Sequence, residues 1–452
     1  MKKLLLGSTA LVVGGLMAAP AMAADPIKVG VGGYYTFYAM AGSIDSTYAF
    51  NGSFTSYKGF AFTQEGEIHF IGQTKLDNGT SVGLTVGLEA WNPSSTTANA
   101  QIDEAFLFAF GDWGRVELGS RDAATYRMYY GTPSALIGWG AIQHNHNWAN
   151  ASMMANNKGY ARTMATTITP TWQDVNRINY FTPRFQGLQI GVGYAPKLNA
   201  AATGGNAATG APNLAGSCGY NNATNIGNCP TADYAWQDLF DVGANYLNKF
   251  GDFTVALYGA FAYASFVPGF SPLGASANMV TGANLTAWKQ WVAGAQFGFA
   301  GFTVGGAIGY DNNGLGSNYF TNVDNDTRFY TAGIMYETGP WQMSFMWAGF
   351  YNTNGNGSTN VTAIATGTQA QTFSTAGATG VPGVNSTAFN GNPATALMFG
   401  SETVNKWEIG ANYALGPGVK LTGGAMLYKA GGPTNAVSGN SWVILMGMDL
   451  RF

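Results

Sequence analysis

Three observations predict a transmembrane β-barrel. Segments that alternate apolar and polar residues recur from Ile27 to the C-terminal Phe452, most of them near the roughly nine to eleven residues that let a tilted strand cross the hydrocarbon. Only 10% of residues are charged while 14% are aromatic and 64 of 452 are glycine. An ordinary soluble domain carries about 25% charge; a chain this poor in it suits a wall with lipid outside and water inside. Short turns also alternate with long connections, the arrangement of an up-and-down barrel and not of a soluble sandwich. The expected fold is all-β: an antiparallel up-and-down barrel of about sixteen strands with both termini at one rim.

The chain opens with Met1-Lys2-Lys3 and an apolar run from Leu4 to Ala19, followed by Ala21-Met22-Ala23. That is the pattern of a secretory signal peptide over residues 1–23, cleaved before Ala24. The apolar run is too short for a membrane anchor and ends in Pro20. No other run approaches the roughly eighteen apolar residues of a membrane helix, so residues 24–452 are expected to form one exported barrel. Without Lys2 and Lys3 the 20 basic residues become 18, against 23 acidic, a net of −5. Nucleic acid would want a basic surface. Cys218 and Cys229 lie in one Gly/Asn-rich stretch of an exported chain, which predicts a loop disulfide over two free thiols.

The elements follow in order. Val29, Val31, Tyr35 and Phe37 share one face of the first strand. Phe62, Ile68 and Phe70 lie opposite Glu65, Glu67 and His69 in the second. Asp77-Asn78-Gly79-Thr80 reads as a tight hairpin turn into Val82, Leu84, Val86 and Leu88, with Glu89 on the other face. The fourth strand, Ile102 to Phe110, is apolar on both sides and leaves its outward face open. After the turn Gly111–Gly114, Val116 and Leu118 oppose Arg115, Glu117 and Arg121. The alternation then stops until Asn176 and resumes with Ile178 and Tyr180 opposite Arg177 and Asn179. Hairpins turned at Pro183–Gly187, Ala300-Gly301, Thr338–Pro340 and Gly416–Gly418 carry the scheme onward, and long connections fall at 196–235 and 352–400. The strand Trp341–Tyr351 begins and ends its outward set in aromatics, as two interfacial girdles demand. Its inward set (Gln342, Ser344, Met346, Ala348, Phe350) is less polar than a water-filled lumen prefers, and Val443 and Leu445 break the inward rule too. These strands are expected to lie beneath an infolded loop.

Three motifs bear a family likeness. Gly114-Arg115-Val116-Glu117-Leu118-Gly119-Ser120-Arg121-Asp122 resembles the strand that leads into the constriction loop of Gram-negative general diffusion porins. Asn179-Tyr180-Phe181-Thr182-Pro183-Arg184-Phe185-Gln186-Gly187, closing on Gly191-Val192-Gly193-Tyr194, resembles the hairpin after that loop. Met446-Gly447-Met448-Asp449-Leu450-Arg451-Phe452 resembles their last strand. The resemblance implies a homotrimer in the outer membrane, embedded in lipid and lipopolysaccharide, with one pore per subunit. It implies that Asp122–Val175 folds inward between strands five and six, and that Phe452 helps the barrel assembly machinery recognise the chain.

A barrel of this size leaves an aqueous channel, whose narrowest charges set what passes. By parity Glu65, Glu67, Glu89, Arg115, Glu117, Arg121 and Arg177 point inward, and Arg127, Lys158 and Arg162 lie in the loop. General porins usually carry acids on this loop; here they stand only at its ends, Asp122 and Asp174. The expectation is a transverse field, positive on the loop and negative on the wall, with solvated charges or local ion pairs such as Arg121 with Asp122 as the alternative. The loop aromatics (Tyr126, Tyr129, Tyr130, Trp139, Trp148, Tyr160, Trp172) suit self-packing, or alternatively a stacking track for sugars. His144-Asn145-His146 lacks further ligands for a metal, and Gly30-Val31-Gly32-Gly33 precedes a strand and not a phosphate-binding helix; no cofactor is expected. No nucleophile is marked near His69, the one histidine on an expected strand, so an enzyme is disfavoured. The reading is a channel for ions and small hydrophilic solutes, with a solute-selective channel or a non-conducting structural or adhesive barrel as the alternatives.

Overall fold

A computed structural model describes residues 26–50, 53–90, 102–136, 175–197, 236–266, 283–312, 315–318, 326–354, 400–431 and 439–452. The signal peptide, Lys158, Arg162, Cys218, Cys229, His144 and His146 lie outside the described residues, as do most of both long connections.

The first strands are β1 (Lys28–Phe50), β2 (Ser53–Lys75), β3 (Ser81–Glu89), β4 (Ile102–Gly111) and β5 (Gly114–Arg121), followed by one helical turn, α1 (Ala124–Arg127). Then come β6 (Val175–Phe181), β7 (Leu188–Lys197), β8 (Trp236–Phe250), β9 (Phe253–Phe266), β10 (Ala283–Leu285), β11 (Trp288–Phe299), β12 (Phe302–Asp311) and β13 (Leu315–Asn318). The chain ends with β14 (Thr327–Thr338), β15 (Trp341–Asn354), β16 (Gly400–Gly416), β17 (Val419–Gly431) and β18 (Gly439–Arg451).

Sixteen of these form a closed antiparallel barrel in which β1 pairs with both β2 and β18. At the seam, Gly33 and Phe452 exchange backbone hydrogen bonds of 3.0 and 3.1 Å, holding the C-terminal residue against the first strand. The remaining two, β10 and β13, pair with each other in the connections after β9 and β12; they were not foreseen. The turn Asp77–Thr80 forms as read, with Gly79 at φ 86° and the Asn78 side chain accepting from Thr80 N at 2.9 Å. One expectation is corrected. Strict alternation of short and long connections fails at the first hairpin, because β1 and β2 are 23 residues each and stay paired to Phe50↔Ser53, leaving two residues between them. From Ser43 to Tyr57 the sequence sets Ile, Tyr and Phe among polar residues without strict alternation, and the ladder shifts register between Asp45 and Ala49 before closing at Phe50↔Ser53.

Side-chain exposure follows the period of two. Val31, Phe70, Leu84, Leu118, Ile178, Leu257, Trp291, Val304, Ile334, Phe345, Ile409, Leu421 and Ile444 are large, apolar and exposed. In water such a surface would aggregate; as the outside of a barrel it faces lipid. Strand β4 acquires its sides here: Leu107 is exposed outward, while Glu104, Phe106 and Phe108 are buried inward. Inside, Met346, Ala348 and Phe350 of β15, Met426 and Tyr428 of β17, and Val443 and Leu445 of β18 form an apolar cluster with Tyr38, Met40 and Leu136.

Candidate functional site

Residues Asp122–Leu136, the described start of the expected loop, run along the inner wall as a strap. Asn179 of β6 donates to Asp122 O at 2.8 Å. Asp241 of β8 accepts from Thr125 N and Oγ1 at 3.2 and 3.1 Å and pairs with buried Arg177 at 3.1 Å, so one carboxylate ties strap, β6 and β8 together. Tyr258 of β9 donates to Thr125 O at 2.6 Å and Asn245 of β8 to Met128 O at 3.0 Å. Farther round, Gln296 of β11 donates to Gly131 O, Thr132 Oγ1 meets Thr331 of β14, Ser134 donates to Glu408 of β16, Ala135 N donates to Ser344 of β15 at 2.8 Å, and Asn412 of β16 donates to Ala135 O at 2.8 Å.

The strap can lie this close because the wall beneath it lacks side chains. A Cβ on Gly191 would strike Met128 and on Gly294 the Tyr130 carbonyl, and on Gly243 it would press closely on Thr125. On Gly305 it would strike the Gly131 carbonyl, on Gly333 Thr132, and on Gly410 or Gly424 Leu136. All seven occupy inward positions on β7, β8, β11, β12, β14, β16 and β17, so a glycine track crosses the wall and seats the strap. The strap meets the weakly polar inward face of β15 at Ser344, and Val443 and Leu445 of β18, the other strand expected beneath an infolded segment, share an apolar cluster with Leu136.

Where the strap leaves β5 stands a charged cluster. Arg115 and Arg127 pair with Glu117, Arg121 pairs with Glu104, and Arg121 Nε lies 3.9 Å from Glu117. The guanidiniums also rest on rings: Arg115 on Phe108 at 4.6 Å, Arg121 on Phe106 at 4.6 Å and Arg127 on Phe181 at 5.1 Å. The arginine side chains are 31%, 18% and 26% exposed, the Glu117 and Glu104 side chains 0% and 7%. The lumen therefore meets guanidinium, with carboxylate behind it. Burial and the nearby Glu104 push the Asp122 carboxyl up to about 7, against the pull of Arg121, Arg127 and Arg177.

A second group lies on the neighbouring wall. Tyr34 donates to Glu67 at 2.9 Å, His69 Nε2 sits 2.7 Å from Glu67, and Glu67 faces Glu89 directly across β2 and β3. Glu65, two residues along, is inward beside them. The structure thus brings Arg115, Glu117, Arg121, Asp122 and Arg127 into one cluster. It places Arg177 next to it on Asp241 and Glu65, Glu67 and Glu89 on an adjoining patch. Arg121 takes Glu104 as its partner. Sequence reading missed Glu104, which hid in an apolar strand, and Asp241, whose inward parity on β8 was its only signal.

Comparison with known proteins agrees with this architecture. A family model described as "Gram-negative porin" matches residues 7–433. An uncharacterized protein of Rickettsia conorii is 23% identical over 297 residues, 60% of this chain and 67% of its own. Among solved structures, the anion-selective porin from Comamonas acidovorans superposes with TM-score 0.51 at 14% identity, covering 94% of this chain and 100% of that one. A loop-deletion mutant of OmpT, an outer membrane protein of Vibrio cholerae, gives TM-score 0.50 at 8% identity, covering 94% and 99%.

Proposed function

Because the chain belongs to the Gram-negative porin family and forms an outer-membrane barrel, we propose that it is a water-filled channel for passive diffusion of ions and small hydrophilic solutes. The observation that carries this reading is the layering of charge at the strap. Arg115, Arg121 and Arg127 face the lumen over buried Glu117 and Glu104, while Glu65, Glu67 and Glu89 form an acidic patch two strands away. A solute passing this level crosses a field set by fixed charges of both signs in a low-dielectric wall. The positive side is built by wall arginines as much as by the loop, since Arg127 is held on Glu117 of β5.

Reconstitution in planar bilayers tests the reading. Large stepwise conductance that scales with salt supports it, and silence from a folded barrel would overturn it in favour of a structural or adhesive role. Arg127→Ala should shift the reversal potential in a salt gradient toward cation preference; an unchanged value would remove Arg127 from the selecting field.

The proposed assembly is a homotrimer. Outward positions of β6 to β18 carry aromatics near both rims, among them Tyr180, Phe302, Tyr336, Trp341 and Tyr413 toward the short turns and Trp291, Tyr310, Tyr330 and Trp407 toward the loops. The outward positions of β3 to β5 include Val82, Leu84, Val86, Leu88, Ala105, Leu107, Ala109, Val116 and Leu118; exposed Trp113 covers the outward side of Gly111 at the short-turn rim, and among the described residues this sector carries no outward aromatic toward the loops. A wall sector whose described outward positions lack the loop-side aromatics suits contact with protein more than a lipid boundary.

A further inference from the structure

At the short-turn end of the lumen, strand register sets a row of inward side chains across β2 to β6. Lys75 pairs with Ser81, Ser81 with Phe110, Phe110 with Arg115, and Arg115 with Phe181. They share the inward parity of Glu67, Glu89, Glu104, Glu117 and Arg177 on the same strands. The two cations of the row are only partly engaged. Arg115 gives its Nε to Glu117 at 2.6 Å, and among the described residues nothing accepts from its two terminal nitrogens. Lys75 is exposed, and no described side chain pairs with its ammonium. Glu117 is shared with Arg127 and approached by Arg121, which pairs with Glu104, so two carboxylates face three guanidiniums. Asp122 adds a further negative charge only above about 7. Asp77 and Asp112, in the adjoining turns, pair with neither cation of the row. Between the cations lies an apolar surface. Phe110 is half-buried, whereas Phe106, Phe108 and Phe181 are buried. Its ring stands 6.1 Å from that of Phe108, and the Arg115 guanidinium lies 4.6 Å from Phe108 and 5.6 Å from Phe110. Three strand steps separate Lys75 from Arg115, about 14 Å at the usual strand spacing.

We propose that this row is a binding site for solutes that join a carboxylate to a flat apolar body, aromatic carboxylates of benzoate size. The carboxylate meets the free edge of Arg115 through two parallel hydrogen bonds, a geometry that guanidinium offers and ammonium does not. The ring of the solute packs on Phe110, offset or edge-on, and leaves the water of the lumen. Lys75 adds a point charge from the other side of the ring, without fixing an orientation. Arginine charge alone would attract any small anion; the half-buried phenyl beside the fork is what favours a flat organic one. The site lies at the short-turn mouth, since Arg115 adjoins the turn Gly111–Gly114, whereas Arg121 and Arg127 stand where the strap leaves the wall. It is therefore distinct from the level at which the strap narrows the lumen. It rests on the channel reading, within which it names one class of solute.

The test is ligand-observed NMR of the purified barrel in detergent, with benzoate, cyclohexanecarboxylate and acetate as probes, below the Asp122 titration near 7. The same probes are then added to single channels in planar bilayers. The wild type should bind benzoate in preference to cyclohexanecarboxylate, its non-planar counterpart, and to acetate, and benzoate should interrupt the current at the lowest concentration. Arg115→Lys keeps the charge and removes the fork; it should weaken benzoate binding roughly tenfold. Phe110→Ala should weaken benzoate roughly fivefold and leave acetate unchanged. Lys75→Gln should weaken benzoate and acetate by one smaller, equal factor. Lys249→Gln, which removes an exposed cation at the same rim on β8, should change neither. Benzoate held no better than acetate, or held by Arg115→Lys as by the wild type, would overturn the site. If Phe110→Ala fails to fold, Phe110→Leu, which keeps an apolar side chain without the ring, should still lose the preference for benzoate over cyclohexanecarboxylate. A folded wild type that binds benzoate but carries no current would sink the channel reading and leave the site standing, and a conducting barrel without the benzoate preference would do the reverse.

Discussion

Glu117 concentrates the demands made on a single side chain: buried under Arg115 and Arg127 and reached by Arg121, it compensates three guanidiniums at once. Glu117→Gln keeps the shape and removes the charge. It should destabilise the barrel by about 1.5–3 kcal/mol, toward the lower value because the arginines keep water contact, and move the reversal potential toward anions. Urea unfolding in lipid vesicles and zero-current potentials measure the two effects separately. Asp122 acts at the same scale through pH. Its carboxyl, raised to about 7 by burial and Glu104, is neutral below that value and anionic above it. As pH rises from the ordinary carboxylate range near 4 to about 7, the folded barrel holds a proton that the unfolded chain has released, so stability falls across that window. In the channel, acidification from pH 8 to 6 removes one negative charge beside Arg121 and Arg127 and should increase anion preference. Asp122→Asn should abolish that step, and a titration unchanged by the substitution would remove Asp122 as its source.

At the scale of elements, the strap and its track depend on what is missing from the wall. Gly294→Val places a side chain where the Tyr130 carbonyl lies and forces the strap off β11, at a strain cost of about 1–3 kcal/mol. Its expected signature is reduced single-channel conductance together with a lower unfolding midpoint. Gly259→Ala, outward on β9 with open space around it, should alter neither. Lipid-facing parity was legible in almost every strand because one face is uniformly apolar. The long break after Arg121 marked the loop for the same reason. The path of the strap was not legible. Glycines on β7, β8, β11 and β12 satisfy the alternation as well as any small residue does, and only their shared contact with one segment gives them a role. Partners chosen across space escaped for a related reason: Arg121 neighbours Asp122 in sequence, but pairing across β4 and β5 brings Glu104 within reach of it instead. Strand β4, apolar on both faces, could be sided only once Leu107 was seen outside and Phe106 and Phe108 inside, beneath the arginines.

For the whole molecule, the uneven outer wall makes a claim about assembly. If the aliphatic sector of β3 to β5 meets another subunit, Leu107→Arg places a charge in a protein contact with no counter-ion and should convert trimers to monomers. If that sector faces lipid, the same substitution costs about 2–4 kcal/mol at mid-membrane but leaves the oligomer intact. Ile334→Arg on β14, within the girdled sector, supplies the comparison: it should lower stability by a similar amount without changing mass. Light scattering of the purified proteins, with detergent mass subtracted, reads the difference directly. Each barrel is closed by its own β1–β18 seam and holds its own strap, so dissociated Leu107→Arg monomers should still conduct. Trimers that persist in Leu107→Arg would move the contact elsewhere on the wall, whereas monomers without conductance would mean that the pore needs its neighbours.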